Sequence, residues 1–176
     1  AKGVSDPASL STWTAEQFDP SLDWEKVARV VKEWAGKVIL KGIMDVRDAQ
    51  MALKVGADAI VVSNHGGRQL DGALSSIKAL PAIIDAVGDQ IEVHMDGGIR
   101  SGQDVLKALA LGAKGTYIGR SFVYGLGAMG QAGVTRALEV IHKELDVSMA
   151  LCGHRHIEQL SRDTLLIPKD FQGDWA

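Results

Sequence analysis

A single cysteine, Cys152, stands among 176 residues, so no internal disulfide is available and no cysteine-built zinc framework is present. Taken alone it reads as a small buried hydrophobe in a reducing compartment rather than as a reactive thiol. Charge of one sign is also lacking. The formal net charge is −3 with Lys and Arg dispersed, so there is no basic stripe of the kind nucleic acid requires, and nucleic acid is not an expected partner. Long apolar runs are absent, which leaves no membrane-spanning helix to predict. The first residues show no charged-then-apolar signal, and Asp174-Trp175-Ala176 is not a peroxisomal address, so the expected location is the cytoplasm or the cytosolic face of a membrane. What is abundant is apolar composition, at 46%, and glycine, at 20 residues: enough for one well-buried core, and one domain over 1–176 is expected.

The glycines fall beside short β-branched runs, the punctuation of alternating strands and helices. Residues 1–21 are polar and predict an exposed loop, and 167–176 predict a polar tail. Between them Leu22 to Trp34 has helical spacing with Asp23 as cap, and Val38 to Leu40 predicts a strand ending at Lys41. Asp45 caps a helix through Val55. Ala59 to Val62 predicts a strand, Ser76 to Val87 a helix, and Ile91 to Met95 a strand ending at Asp96. Ser101 caps a helix to Leu111, Gly115 to Ile118 predicts the fourth strand, Ala128 to Leu145 a long closing helix, and Leu151 to Leu166 a final one. Wholly apolar strands each leading into a helix argue a parallel α/β sheet covered by helices. A (β/α)8 barrel takes eight such units and about 250 residues. Half that number, in a chain that opens without Met in a polar loop, predicts the C-terminal half of such a barrel: about four βα units plus closing helices.

Ligands of these folds sit at the carboxyl ends of the strands, and each strand here ends in a polar cluster. Lys41 beside Gly42 offers a cation that stabilises negative charge on a ligand approaching the backbone closely. After the second strand come Ser63, His65 and Arg68. An imidazole with an ordinary pKa of about 6.5 suits proton removal at neutral pH. A planar guanidinium grips a carboxylate in fixed orientation. Together they suit a small acid with a removable proton; the plain alternative is a solvated glycine-rich turn. The run Asp96-Gly97-Gly98-Ile99-Arg100-Ser101-Gly102 and the pair Gly119-Arg120 supply bare glycine amides and two arginines near helix starts, a phosphate cradle in the loops where such barrels bind phosphate. Against that, Gly-Gly can be a plain tight turn and Arg100 can pair with Asp104 on a helix surface. Asp96 offers an acceptor for hydroxyl groups. His94 shares the strand face of Asp96 and is expected to fill a barrel layer. His154 and His156 lack a third ligand, and no metal is expected.

The motifs Leu40-Lys41-Gly42, Val62 to Asp71, Asp96 to Gly102 and Ile118-Gly119-Arg120 resemble the FMN-dependent L-2-hydroxy acid oxidase and dehydrogenase family, which includes glycolate oxidase, flavin-type L-lactate dehydrogenase and mandelate dehydrogenase. The likeness runs in order from about Ser9 to Leu166 and corresponds to the C-terminal half of the family's barrel. It implies that His65 is the base that takes the substrate proton and that Arg68 holds the substrate carboxylate. Lys41 would lie against the N1 and C2 carbonyl edge of FMN with Ser63 as a further contact. Asp96 would bind the ribityl hydroxyls, and Gly98, Arg100, Gly119 and Arg120 the phosphate. The implied partners are a small 2-hydroxy acid such as lactate, glycolate or mandelate, the N-terminal half of the same barrel, and further copies in a homo-oligomer. The substrate-pocket tyrosines, the acid that pairs with the histidine and a second substrate arginine have no counterpart here. Two other readings stand beside this one: an FMN-free barrel enzyme acting on a phosphorylated substrate, and a half-barrel with no catalysis of its own.

Overall fold

The computed structural model describes residues 19–171. Strands β1 (Ile39–Ile43), β2 (Ala59–Val62), β3 (Glu92–Met95) and β4 (Gly115–Thr116) form one parallel sheet in the order β1-β2-β3-β4. Helices α1 (Trp24–Glu33), α2 (Val46–Lys54), α3 (Ser76–Val87), α4 (Gly102–Ala110) and α5 (Arg120–Leu151) alternate with them. Strand order that never reverses is the order of a barrel wall, not of a doubly wound sheet. Asp23 and Asp45 cap α1 and α2 by accepting the N–H of Lys26 and Arg47, and Ser101 forms a reciprocal capping box with Asp104 on α4, as the spacing predicts.

Side-chain alternation along the strands divides the molecule into two layers. Ile60, Val62, Val93 and Met95 face the helices and pack with Ala49, Ala52, Leu80, Ile83, Val87, Ala108 and Leu111 into one core. The other face carries the row Lys41, Val61, His94 and Gly115, which lie side by side in register. A Cβ at Gly115 would stand 2.8 Å from His94 Nδ1, so the glycine makes room for the imidazole in this layer. There His94 pairs with Glu92 at 3.2 Å and tilts against Tyr117, on the barrel-facing side where alternation puts it.

The strand β1 runs on past Lys41 to Ile43. A register shift lies between Lys41 and Ile43, at Gly42, whose φ is +100°, and this bulge turns Ile43 into the core while Lys41 stays on the open face. β4 ends at Thr116 rather than Ile118, with one further ladder bond from Tyr117 N–H to the Met95 carbonyl. The closing helix differs most. It starts at Arg120, not Ala128, and is broken at Met129 and Gly130. Gly125 and Gly133, which look like helix breakers, are contact points: a Cβ on Gly125 would lie 2.4 Å from the Gly133 carbonyl oxygen, so the two arms of α5 touch backbone to backbone.

No helix spans Leu151 to Leu166. α5 stops in a left-handed glycine cap, with Gly153 at φ +79° and the His154 N–H bonded to the Met149 carbonyl at 2.9 Å. Short 3-10 turns follow at Ile157–Gln159 and Arg162–Thr164. Cys152, at the C-cap, is exposed rather than buried, because the last turn of α5 turns Met149 inward and leaves Leu151 and Cys152 on its solvent side. Ile167 and Phe171, in the stretch expected as a polar tail, pack against the core. Of the expected N-terminal loop, residues 1–18 lie outside the described residues, as do 172–176 of the tail. Among the described residues no helix is long and apolar enough to cross a membrane, and no group of His, Cys, Asp and Glu is arranged to hold a metal ion.

Candidate active site at the carboxyl ends of the strands

The loops after β1 to β4 enclose a cleft of about 330 Å³ whose lining includes Lys41, His65, Arg68, Asp96, Arg100 and Arg120. Gly98 and Gly119 also line it, and Tyr117, not anticipated from the sequence, contributes an aromatic wall. Ser63 lies beneath, 2% exposed. Its hydroxyl accepts from Lys41 Nζ at 3.0 Å and from the His65 N–H at 3.1 Å. Lys41 Nζ is 2.7 Å from Asp96 Oδ2, so the cation at the end of β1 and the carboxylate at the end of β3 meet across β2. The second Asp96 oxygen, Oδ1, is buried with no hydrogen-bond partner. A buried carboxylate oxygen left unmatched forfeits about 1–3 kcal/mol of solvation, and an incoming hydroxyl group would restore it.

His65 sits in an uphill conformation. Its φ is 56°, and among the described residues it is the one non-glycine residue at positive φ, at a cost of roughly 1–2 kcal/mol. Gly66 and Gly67 continue the turn at φ 68° and 71°, where glycine carries no such penalty. The side chain of Asn64 accepts the Gly67 N–H and donates to the Leu74 carbonyl, both at 3.2 Å, and Arg120 Nη2 donates to the Gly66 carbonyl at 3.3 Å.

The two helix starts at this end differ in their availability to an anion. At α4 the carboxylate of Asp104 takes the N–H of Arg100 and of Ser101, and Glu144 of α5 takes the N–H of Gly102 at 2.9 Å. That terminus is already neutralised by the chain's own carboxylates. At α5 the N-cap is Gly119 with no side-chain hydrogen bond, which leaves the first-turn amides of the helix facing outward for a bound anion. The alternative of a surface pair between Arg100 and Asp104 is not found: Asp104 accepts the Arg100 main-chain N–H. Among the described residues the guanidinium groups of Arg68, Arg100 and Arg120 form no salt bridge. With Lys41 balanced by Asp96, the cleft keeps an excess of positive charge that favours anionic ligands. At the opposite end of the sheet Lys37 and the Val38 N–H hold the Asp58 carboxyl below the usual range.

Asn64 and Glu144 escape a reading of the sequence. Glu144 acts 42 positions away from the amide it caps, a distance at which no local pattern connects the two. Asn64 does carry a signal, an Asx residue directly before a glycine turn, but its partners are set by tertiary contact.

Fold and cleft define a class: a barrel-type α/β protein with a cleft at the strand ends lined by a lysine, a histidine, three arginines and an aspartate. The family model for FMN-dependent dehydrogenases matches residues 2–167, and the chain belongs to this family. It is 55% identical over 154 residues to an L-lactate dehydrogenase of Azorhizobium caulinodans, covering 88% of this chain and 40% of the relative. With an L-lactate dehydrogenase of Caulobacter vibrioides it shares 52% over 165 residues, 94% of this chain and 42% of the relative. Among solved structures, an (S)-mandelate dehydrogenase described as a monotopic membrane protein superimposes with a TM-score of 0.85 at 36% identity, over 94% of this chain and 44% of that one. A mandelate oxidase variant carrying a monooxide FMN adduct gives 0.79 at 47%, over 83% and 46%. The chain thus spans about two-fifths of the length of the curated relatives it matches, and its fold is the C-terminal half of a (β/α)8 barrel. Family membership sets aside the FMN-free alternative.

Proposed function

We propose that this chain forms the cofactor-phosphate and proton-handling side of an enzyme that oxidises a small L-2-hydroxy acid to the 2-oxo acid with FMN. The observation that carries the reading is the donor and acceptor set of the cleft: a buried, unmatched Asp96 Oδ1, an uncapped α5 N-terminus, and arginines without carboxylate partners. This set fits FMN from end to end. Arg100, Arg120, Gly98, Gly119 and the α5 amides match a phosphate dianion. Asp96 Oδ1 matches a ribityl hydroxyl, and Lys41, steadied by Ser63 and Asp96, matches the electron-rich edge of the flavin ring. FMN, when bound, supplies the acceptor for the two electrons of the alcohol.

Oxidation of R–CH(OH)–COO⁻ to R–CO–COO⁻ releases two electrons and two protons. Arg68 grips the carboxylate and fixes which face of C2 is presented. An imidazole nitrogen of His65 takes a proton, and the strained turn holds that ring at the cleft rather than letting it relax into solvent. The names of the relatives favour lactate, with mandelate and glycolate as further candidates. The remaining strands of the barrel, supplied by an N-terminal half, close the other side of the flavin site, and assembly into a homo-oligomer and placement in the cytoplasm or at the cytosolic face of a membrane belong to the same proposal.

The test is reconstitution. The chain joined to the N-terminal half of its barrel is expected to retain FMN through purification and to turn over L-lactate or a close analogue, whereas the chain alone holds FMN weakly. A complete barrel that is colourless after FMN loading and inert to L-2-hydroxy acids would refute the reading.

A further inference from the structure

We infer that Asn64 is a positioning residue, the hub that holds His65 and Arg68 in their working places, with Ser76 as its anchor in the core. The inference rests on the proposed function of the cleft. The turn after β2 carries the strained His65 at φ 56°, and a conformation that is uphill for an L-residue persists only where surrounding bonds over-determine it. Those bonds converge from two sides. Ser63 and Ser76 are the fully buried polar residues among the described ones, each 2% exposed, and both hydroxyls serve this turn. Ser63 Oγ accepts the His65 N–H at 3.1 Å, and Ser76 Oγ accepts the Asn64 N–H at 3.2 Å. A buried hydroxyl is costly unless matched, so their joint commitment to one turn marks the geometry that the fold maintains.

Asn64 links the two sides. Its Oδ1 accepts the Gly67 N–H and its Nδ2 donates to the Leu74 carbonyl, so one amide side chain ties the inner turn to the chain that leads into α3. The next loop is fitted to the same hub: a Cβ on Gly97 would lie 2.8 Å from Ser76 Oγ and 3.2 Å from Asn64 Oδ1. The loop bearing Asp96 therefore packs directly on the clasp that shapes the loop bearing His65. Without the Asn64 side chain the turn keeps the Ser63 and Ser76 bonds and the bond from the Gly67 N–H to the Asn64 main-chain carbonyl at 3.0 Å. It loses its tie to Leu74, so the segment from His65 to Arg68 can shift on the strands and carry ring and guanidinium out of line together.

The experiment uses the FMN-loaded complete enzyme and compares Asn64→Ala, Asn64→Asp and His65→Gln. Asn64→Ala is expected to keep its FMN content and to lower kcat per bound flavin by about 10- to 100-fold, the loss that follows a misplacement of roughly 1 Å. It is also expected to raise the Kd for pyruvate, read as a perturbation of flavin absorbance, by about tenfold or more, because Arg68 moves with the turn. Asn64→Asp keeps the acceptor for Gly67 but sets a carboxylate oxygen against the Leu74 carbonyl in place of the donor, and should lose as much as Ala or more; it is read in the same two assays where Asn64→Ala folds poorly. A lower Tm with unchanged kcat per flavin and unchanged pyruvate Kd in either variant would overturn the inference and leave Asn64 a structural residue. Normal turnover in His65→Gln would instead overturn the functional reading beneath it.

Discussion

Replacing Asp96 by Ala separates a cofactor ligand from a structural ion pair. Within the chain the carboxylate makes one favourable contact, with Lys41 Nζ at 2.7 Å, but Lys41 is 49% exposed, so the pair is screened and is worth about 1 kcal/mol or less. Against it stands the buried Oδ1 with no partner, a penalty of about 1–3 kcal/mol that the truncation removes. The relief equals or exceeds the loss, by up to about 2 kcal/mol, and the apo variant should unfold at or somewhat above the wild-type temperature. With FMN bound, a ribityl hydroxyl makes a hydrogen bond to a charged acceptor, worth about 1.5–3 kcal/mol. At about 1.4 kcal/mol per tenfold, Asp96→Ala should weaken FMN binding by about 10- to 150-fold. Titration of apoprotein with FMN, followed by quenching of flavin fluorescence, gives the Kd, and calorimetry without cofactor gives the stability. An unchanged Kd with an apo protein destabilised by several kcal/mol would show that Asp96 is a structural counter-ion, and the reasoning would be wrong.

Other substitutions divide the cleft further. Arg68→Lys keeps the charge and loses the planar fork, so turnover of a hydroxy acid should fall while FMN content stays level; Arg120→Ala should do the reverse, lowering FMN retention more than the chemistry of molecules that keep it. Gly133→Ala places a methyl 1.9 Å from the Gly125 carbonyl oxygen, so the arms of α5 must part, and the helix that begins at Arg120 should lose FMN affinity together with stability, seen in parallel FMN and thermal titrations. Away from the cleft, the lowered pKa of Asp58 comes from its bond to Lys37 and then from the Val38 N–H. A carboxyl whose folded pKa is depressed adds stability above its ordinary value of about 3.9 and loses it as pH falls through the folded value; the Tm gap between wild type and Asp58→Asn should therefore be widest near neutrality and close below about pH 4.

Local chemistry made much of this molecule legible from its residues. Capping side chains at Asp23, Asp45 and Ser101 fix helix starts through bonds to amides within a few positions, and wholly apolar runs such as Ala59 to Val62 belong to strands covered on both faces. The polar clusters at strand ends announced the cleft, because a parallel sheet carries its ligands there. What escaped depends on contacts between distant segments. Gly125 and Gly133 look like breakers in sequence and act as a backbone contact inside a broken helix. The polar stretch after Gly153 keeps helical spacing, but the glycine cap ends α5 before it. Gly102 N–H has its partner on a helix that starts later in the chain, so the closed N-terminus of α4 and the open one of α5 become distinguishable only in three dimensions.

The central claim is that His65 removes the substrate proton beside a bound flavin, and single-turnover reduction tests it most directly. In the FMN-loaded complete enzyme, mixed without oxygen with L-lactate or the best L-2-hydroxy acid, the flavin absorbance should bleach in one exponential phase. His65→Gln, holding the same amount of FMN, should bleach about 10²- to 10⁴-fold more slowly. Bleaching of that variant at the wild-type rate would contradict the assignment of His65 and with it the account of the cleft.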